Sequence, residues 1–375
     1  MKVIISGGGT GGHIYPAIAI ANTIKKKDPD AEIIFTGNRD SLENDLVPKA
    51  GYEIYHIESC GFNRKNMLKN FRFAYYYFTS PLKGKKLIRE FKPDVVIGTG
   101  GYACWPIMKA AIDLGVPTLV HESNSIPGLA IKRMAPLVHK ILVNYAKAGQ
   151  TLGYAEKTVR VGNPLREDFG VISKEVARRK ISAGKAYSKY ILSYGGSGGA
   201  EQINLNALYL MKNYVCKHPD VMHVHITGKK SYDSMLRQFN AMGLNKYDNI
   251  VLLPYTHEMS YYMGSADLVI CRAGALTISE LALTRKAAIL IPSPNVTANH
   301  QYHNAKTLAD KGAAILIEEN ELNEHTLASV VSELLASSEK LMALSDSIAE
   351  FAVDDSNDRI YSEIVDAIKN QGQKK

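Results

Sequence analysis

Two stretches of this chain, VIISGGGTGGH at residues 3–13 and YILSYGGSGGA at residues 190–200, carry the same pattern 187 residues apart. In each, an apolar run that reads as a buried strand gives way to glycines and then to residues expected to open a helix. A strand, a glycine turn and a helix begin a doubly wound unit, in which the turn's N–H groups and the helix dipole suit an anion. The fold therefore has to hold two such units. With 375 residues and 46% hydrophobic content, the chain can bury two cores.

The rest of the pattern agrees. Strands are expected at Lys2 to Ser6, Glu32 to Thr36, Glu53 to Ile57, Asp94 to Gly98, Pro117 to His121 and Lys140 to Val143. The alternation restarts after VGNPLRED, where Asn163-Pro164 interrupts the chain. Further strands follow at Tyr190 to Tyr194, Met222 to Thr227, Ile250 to Leu253, Asp267 to Cys271, Ala287 to Ile291 and Ala313 to Ile317. The segments between them are long enough for crossover helices, which implies parallel sheets covered on both faces. We expect an α/β chain with domains over 1–162 and 163–355. If the domains meet at the carboxyl ends of their strands, both glycine turns face one cleft, which suits a nucleotide diphosphate.

Several function classes fall away. Gly7, Gly9 and Gly12 fit G-x-G-x-x-G, but IIFTGNRD lacks the acidic residue that a dinucleotide fold places at the end of its second strand, Asp40 lying further on. The four cysteines have no metal or disulfide spacing, which fits a reducing compartment. No signal peptide is read at the N-terminus, and no apolar run of about 18 residues is present. Asp28-Pro29-Asp30 spells a D-x-D, but it precedes the second strand, at the edge away from the strand carboxyl ends, and reads as a solvated turn. His223 with His225, and His300 with His303, lack a third ligand nearby and read as packed or hydrogen-bonded.

The charge is concentrated. From Arg64 to Lys92 there are nine Lys and Arg against the single acid Glu90, so this stretch carries the whole formal charge of +8. Within it, FRFAYYYFTSPL interleaves aromatic residues with cations, which suits an anionic membrane interface or a buried helix with a basic face. Nucleic acid is disfavoured because no binding module accompanies the charge. In the second half, CRAGALTISELAL places Gly274 at a turn and Ala275, Leu276 and Thr277 at a helix start. Glu280 follows, either as the acceptor for a ribose diol or as part of a helix cap.

GGGTGGHIYPAIAIA, GTGGYACWP, HESNSIPGLA, VGNPLR, YGGSGGAEQIN, CRAGALTISE and NHQYHNA occur in the order and spacing of the MurG family, which the chain resembles over nearly its whole length. The resemblance implies a GT-B fold of two Rossmann-like domains facing a central cleft. It implies transfer of N-acetylglucosamine from UDP-N-acetylglucosamine (UDP-GlcNAc) to lipid I in peptidoglycan synthesis, and a last helix over 356–375 crossing back to the first domain. Donor contacts carry over to Thr10, Gly11, Gly12, Asn124, Arg166, Ser197, Thr256, Gln301 and the segment Ala275, Leu276, Thr277, Ile278, Ser279 and Glu280. Tyr102, His121 and Glu122 carry over to the acceptor side. An acceptor with a polyprenyl chain stays in the membrane, so the resemblance implies peripheral docking on its cytoplasmic face, with cell-wall synthesis proteins as further partners. Phe71, Phe73, Tyr75, Tyr76, Tyr77, Phe78 and Leu82, with Lys83, Lys85 and Lys86, are the residues expected to dock. The chain departs from the family in GGSGGA, which lacks the usual glutamine after serine, and in His300 where relatives often have glutamine. Another GT-B enzyme, such as an epimerase, and a nucleotide-sugar-binding protein without catalysis are the rival readings.

Inversion at the sugar requires the acceptor hydroxyl to lose its proton as it attacks. His13 stands at a helix N-terminus, which disfavours the imidazolium and keeps the ring able to accept that proton. His13 is thus the expected base, or else a group that orients the sugar or acceptor phosphate. Neither reading requires a metal or other cofactor.

Overall fold

The computed structural model describes residues 1–61, 70–196 and 198–372. They form two units, Met1–Leu165 with Val353–Lys375, and Arg166–Ala352. The divisions fall three residues after the expected 162/163 boundary and three before the expected 355/356 boundary.

The first unit holds β1 (Lys2–Ser6), β2 (Glu32–Gly37), β3 (Glu53–His56), β4 (Val95–Gly98), β5 (Thr118–Glu122), β6 (Lys140–Val143) and β7 (Thr158–Arg160). The second holds β8 (Lys189–Tyr194), β9 (Val221–Ile226), β10 (Ile250–Leu253), β11 (Leu268–Cys271), β12 (Ala287–Leu290) and β13 (Ile315–Leu316). The order is β3-β2-β1-β4-β5-β6-β7 in one sheet and β10-β9-β8-β11-β12-β13 in the other, and these neighbouring strands pair in parallel. The central strands are nearly continuous apolar runs because helices cover both faces; Val3, Ile4, Ile5, Val95, Val96 and Ile97 are all inaccessible to solvent. Strand β7 was not among the expected strands, since three residues with Thr and Arg at the ends carry little apolar signal.

Both sheets reverse their winding at one point, between β1 and β4 and between β8 and β11. Ligands of doubly wound sheets bind beyond the strand carboxyl ends at such points. Each glycine turn leaves the first strand of its pair, so each lies at a switch point.

The helix Ser356–Gly372 belongs to the first unit. Ile360, Ile364 and Ala367 share one face and enter the core formed by Val3, Ile20, Ile24 and Leu142. Burying each isoleucine contributes roughly 1.5–3 kcal/mol. The start of this helix is fastened by an ion pair between Lys27 and Asp358 at 2.7 Å and by Asn357, whose amide donates to Leu165 O at 2.9 Å.

Candidate active site

In the first unit the helix Gly11–Lys27 begins at Thr10, with no acidic residue in its first turn and no side-chain cap. That leaves an N-terminus suited to a negative ligand group around Thr10, Gly11 and Gly12. His13, on the same turn, is held by the strand next door. Its Nδ1 lies 3.1 Å from Thr99 O, and Thr99 Oγ1 donates to His13 O at 2.7 Å. A carbonyl accepts only, so Nδ1 carries the hydrogen and the lone pair of the neutral ring sits on Nε2. Gly100, at φ +107°, lies under the ring: a Cβ there would stand 2.6 Å from Nδ1. GTGGY thus earns its two glycines by letting the β4 loop pass beneath the imidazole.

Tyr102 starts the next turn, its ring against Gly9 and its phenol pushed up by burial and then by the charge of Glu43. Cys104 behind it donates to Ser6 O and Gly100 O, each at 2.8 Å, and burial pushes its thiol up to about 12, so it is a packing group.

His121 and Glu122, expected on the acceptor side, are both buried. His121 Nε2 lies 2.9 Å from Gly162 O, and desolvation pulls its pKa down to about 4. Glu122 accepts from Asn124 N at 2.9 Å, Asn124 Nδ2 at 3.0 Å and Gly128 N at 2.8 Å, while burial raises its pKa. Their place in the interior makes them supports for the loop that presents Asn124.

In the second unit the helix Ala275–Leu283 follows β11 with Gly274 as its N-cap. Glu280 lies in the second turn, too far along to cap, which removes that alternative. Desolvation pushes its carboxyl up to about 8, with Arg166 lowering it and Asp168 raising it. Arg166 is fixed by Asp168 through Nε at 3.0 Å and Nη2 at 2.5 Å, and Nη2 also donates to His257 O at 3.3 Å. Arg166, Glu280 and the loop holding Thr256 are thereby brought together. Ala275, Leu276 and Thr277 occupy the helix start, but the side chains of Ile278 and Ser279 are buried, so those two expected contacts are not accessible side chains. Gln301 accepts from Ser293 N at 2.9 Å through Oε1, which turns its NH₂ away from that loop. Arg272, which the sequence reading did not single out, donates to Ile291 O and Pro292 O at 3.2 and 3.1 Å and pairs with Glu319, fixing the same loop. A cavity of about 490 Å³ opens beside it, lined by Gln202, Ser293, Asn299, Tyr302 and Glu318, a polar set suited to a hydroxyl-rich group. Ser197 lies outside the described residues.

Asp28 receives the Met1 amino group at 2.8 Å, the main cause of its lowered pKa, at the far end of the helix Gly11–Lys27 from the site. Among the described residues no three His, Cys, Asp or Glu side chains group as metal ligands. His223 and His225 flank Ser193, whose Oγ is 2.7 Å from a nitrogen of each.

The helix Asn70–Phe91 sorts the aromatic stretch by face. Phe71, Tyr75, Phe78 and Leu82, spaced at i, i+4, i+7 and i+11, are each at least 64% exposed and form one stripe. Tyr77 is instead stacked on Trp105 at 4.6 Å, Tyr76 lies under Arg72, and Phe73 packs against Tyr77. Lys85 is paired with Asp113 at 2.8 Å in a partly buried setting, whereas Lys83 and Lys86 are exposed, Lys86 lying 3.8 Å from Glu90 on the same helix. Phe73, Tyr76, Tyr77 and Lys85 of the expected docking set are therefore packed or paired away from this stripe. Arg64, Lys65 and Lys69 lie outside the described residues, and no described helix is long and apolar enough to cross a membrane.

Residues 3–143 match the glycosyltransferase family 28 N-terminal domain, and residues 190–360 match the glycosyltransferase family 28 C-terminal domain. The chain is 40% identical over 371 residues to a protein of Acetivibrio thermocellus, covering 99% of each, named UDP-N-acetylglucosamine--N-acetylmuramyl-(pentapeptide) pyrophosphoryl-undecaprenol N-acetylglucosamine transferase. A protein of Alkaliphilus metalliredigens with the same name is 40% identical over 373 residues, covering 99% of this chain and 100% of the relative. The crystal structure of Acinetobacter baumannii MurG is similar with a TM-score of 0.77 and 25% identity, covering 97% of this chain and 99% of that one. A UDP-GlcNAc 2-epimerase from Neisseria meningitidis, bound to UDP-GlcNAc, has a TM-score of 0.65 at 13% identity over 98% of this chain and 100% of that one, a likeness of fold alone.

Proposed function

The chain belongs to glycosyltransferase family 28, and from that premise we infer that it transfers N-acetylglucosamine from UDP-GlcNAc to the N-acetylmuramyl 4-hydroxyl of lipid I in peptidoglycan synthesis. The grip of Thr99 on His13 carries the mechanistic part of this reading. With the proton on Nδ1, Nε2 accepts the hydrogen of the attacking hydroxyl while that oxygen displaces UDP from the anomeric carbon in line, with inversion. Charge building on the leaving diphosphate is stabilised by the N-terminus of the helix Ala275–Leu283 and by Arg166, a dipole and a charge already in place before reaction.

Glu280 takes the ribose diol. Its carboxyl is largely neutral at pH 7 without ligand, and two hydroxyl donors favour the ionised form, so the nucleotide and the carboxylate stabilise one another. Thr256, Gln301 and the first turn of Ala275–Leu283 complete the donor side, while Tyr102 and the Asn124 loop serve the first unit's ligand. The decisive assay is UDP release from UDP-GlcNAc with and without a short-chain lipid I analogue, in EDTA. Acceptor-dependent release that survives chelation is the expected result. Release without acceptor points to an epimerase or hydrolase, and UDP binding without release points to a binding protein.

Docking on the cytoplasmic face of the membrane is assigned to the stripe Phe71, Tyr75, Phe78 and Leu82, flanked by Lys83 and Lys86. A basic residue near an anionic surface contributes about 1 kcal/mol. Changing Lys83 and Lys86 to Gln is therefore expected to weaken binding to anionic vesicles about 20–30-fold, with UDP binding unchanged. Cosedimentation reads the first and calorimetry the second, and unaltered vesicle binding removes the assignment. Lys85→Gln is expected to act mainly on stability, through the Asp113 pair.

A further inference from the structure

One buried charge beside the first glycine turn has no part in the transfer as described. Glu43, in the helix Glu43–Lys49, is 1% exposed. Its Oε2 accepts from Gly9 N at 3.1 Å, and its Oε1 accepts from Asn38 N at 3.2 Å and from Ser41 Oγ at 2.6 Å. The glycines around it leave room for this one side chain: a Cβ on Gly8 would come within 2.6 Å of Oε1, and one on Gly37 within 2.6 Å of Cγ.

We propose that Glu43 is a positioning residue, holding the first glycine turn in the form that presents His13 to the acceptor hydroxyl; this rests on the transferase reading above. Burying a carboxylate is costly, and a buried charge is poor support for a fold in general. Here the donors Gly9, Asn38 and Ser41 belong to the loops at the carboxyl ends of β1 and β2, so what it organises is the rim of the site. Gly9, at φ +84°, directs its N–H inward to the carboxylate and its chain outward to Thr10, where the helix carrying His13 starts. The same charge sets the chemistry of the turn. With the Gly9 amide engaged by a carboxylate, a phosphate is repelled from the inner side of the loop, and anion binding is confined to the helix start. Tyr102, whose phenol is raised in part by this carboxylate, closes the other side.

The test compares Glu43→Gln and Glu43→Asp with the wild-type full chain. Glutamine keeps the shape but offers one acceptor oxygen, so its NH₂ opposes the N–H of either Gly9 or Asn38. Aspartate keeps the charge and both acceptors, displaced by one methylene. For Glu43→Gln we expect kcat to fall about 10–100-fold, with UDP affinity, read by calorimetry, within about twofold of wild type. Glu43→Asp should recover part of the loss. Amide hydrogen exchange over residues 8–13, measured without substrate, should quicken about tenfold or more in Glu43→Gln, and this readout stands whether or not the acceptor has been identified correctly. Equal exchange rates and a kcat within about threefold of wild type in a folded Gln variant overturn the proposal. If the Gln variant does not fold, Glu43→Asp decides: lowered kcat at unchanged UDP affinity supports positioning, and wild-type kcat and exchange overturn it. A wild-type chain that releases no UDP in the presence of acceptor counts against the transferase reading, while the exchange data still judge Glu43.

Discussion

His13→Ala is expected to lower kcat by about two to four powers of ten, the range for removal of a positioned general base. UDP affinity should change little, because Arg166, Glu280 and the Thr256 loop, the nucleotide groups assigned in the second unit, are untouched by the change. The size of the effect follows from the way the ring is held. Thr99 O fixes the proton on Nδ1, and Gly100 admits the ring at a distance that any side chain would deny it. Steady-state kcat with the lipid I analogue, with and without added imidazole, checks the role. A large loss partly restored by imidazole supports proton transfer. A loss confined to acceptor KM, with kcat kept, assigns His13 to orientation and removes it as the base.

The arrangement around His13 also shows where sequence reading stops. The turn itself is legible because glycine is the residue that can follow a buried strand and open a helix in this way, and both turns stand out for that reason. That Thr99 and Gly100 reach His13 depends on β4 lying beside β1, a consequence of strand order that no local pattern states. Glu43 was hidden more thoroughly. In SLENDLVPKA it reads as one acid of a surface helix, and only the fold back of that segment over β1 and β2 buries it.

The same distinction applies to side chains that share a motif. HESN suggests four neighbours with related duties, but strand β5 keeps His121 and Glu122 inside and only the following loop brings Asn124 to the edge. In the aromatic stretch, composition identifies an interface of cations and rings. Which rings face outward is decided by Trp105, which stacks on Tyr77 and so fixes the rotation of the helix about its axis. The strand cores were readable because burial on both faces demands apolar runs, whereas the three-residue β7 at a sheet edge is free of that demand.

A second large effect is expected in the acid stability of the second unit. His223 and His225, both inaccessible, are held neutral by desolvation, with His225 pulled down to about 4 and His223 pulled well below its ordinary value. Above pH about 6.5 neither the folded nor the unfolded chain protonates them, and their contribution is constant. As pH falls below that value the unfolded chain takes up two protons that the folded one refuses, so stability is lost at about 1.4 kcal/mol per pH unit for each histidine. Glu280 acts in the opposite sense: with its carboxyl pushed up to about 8, the folded state holds a proton that the unfolded state releases above its ordinary value near 4.5. Between pH about 6.5 and 4.5 the balance is two protons against one, a net loss near 1.4 kcal/mol per unit. Replacing both histidines with glutamine leaves Glu280 alone, and the slope should change sign. Hydrogen exchange of the β8 and β9 amides, measured at several pH values in this window and corrected for intrinsic rates, reports the opening free energy of this core. A wild-type slope that is flat, or a double variant that keeps the wild-type slope, contradicts the assignment of neutral histidines around Ser193. Saturating UDP should steepen the wild-type slope, since a ribose diol bound by Glu280 keeps its carboxylate ionised and removes the opposing proton.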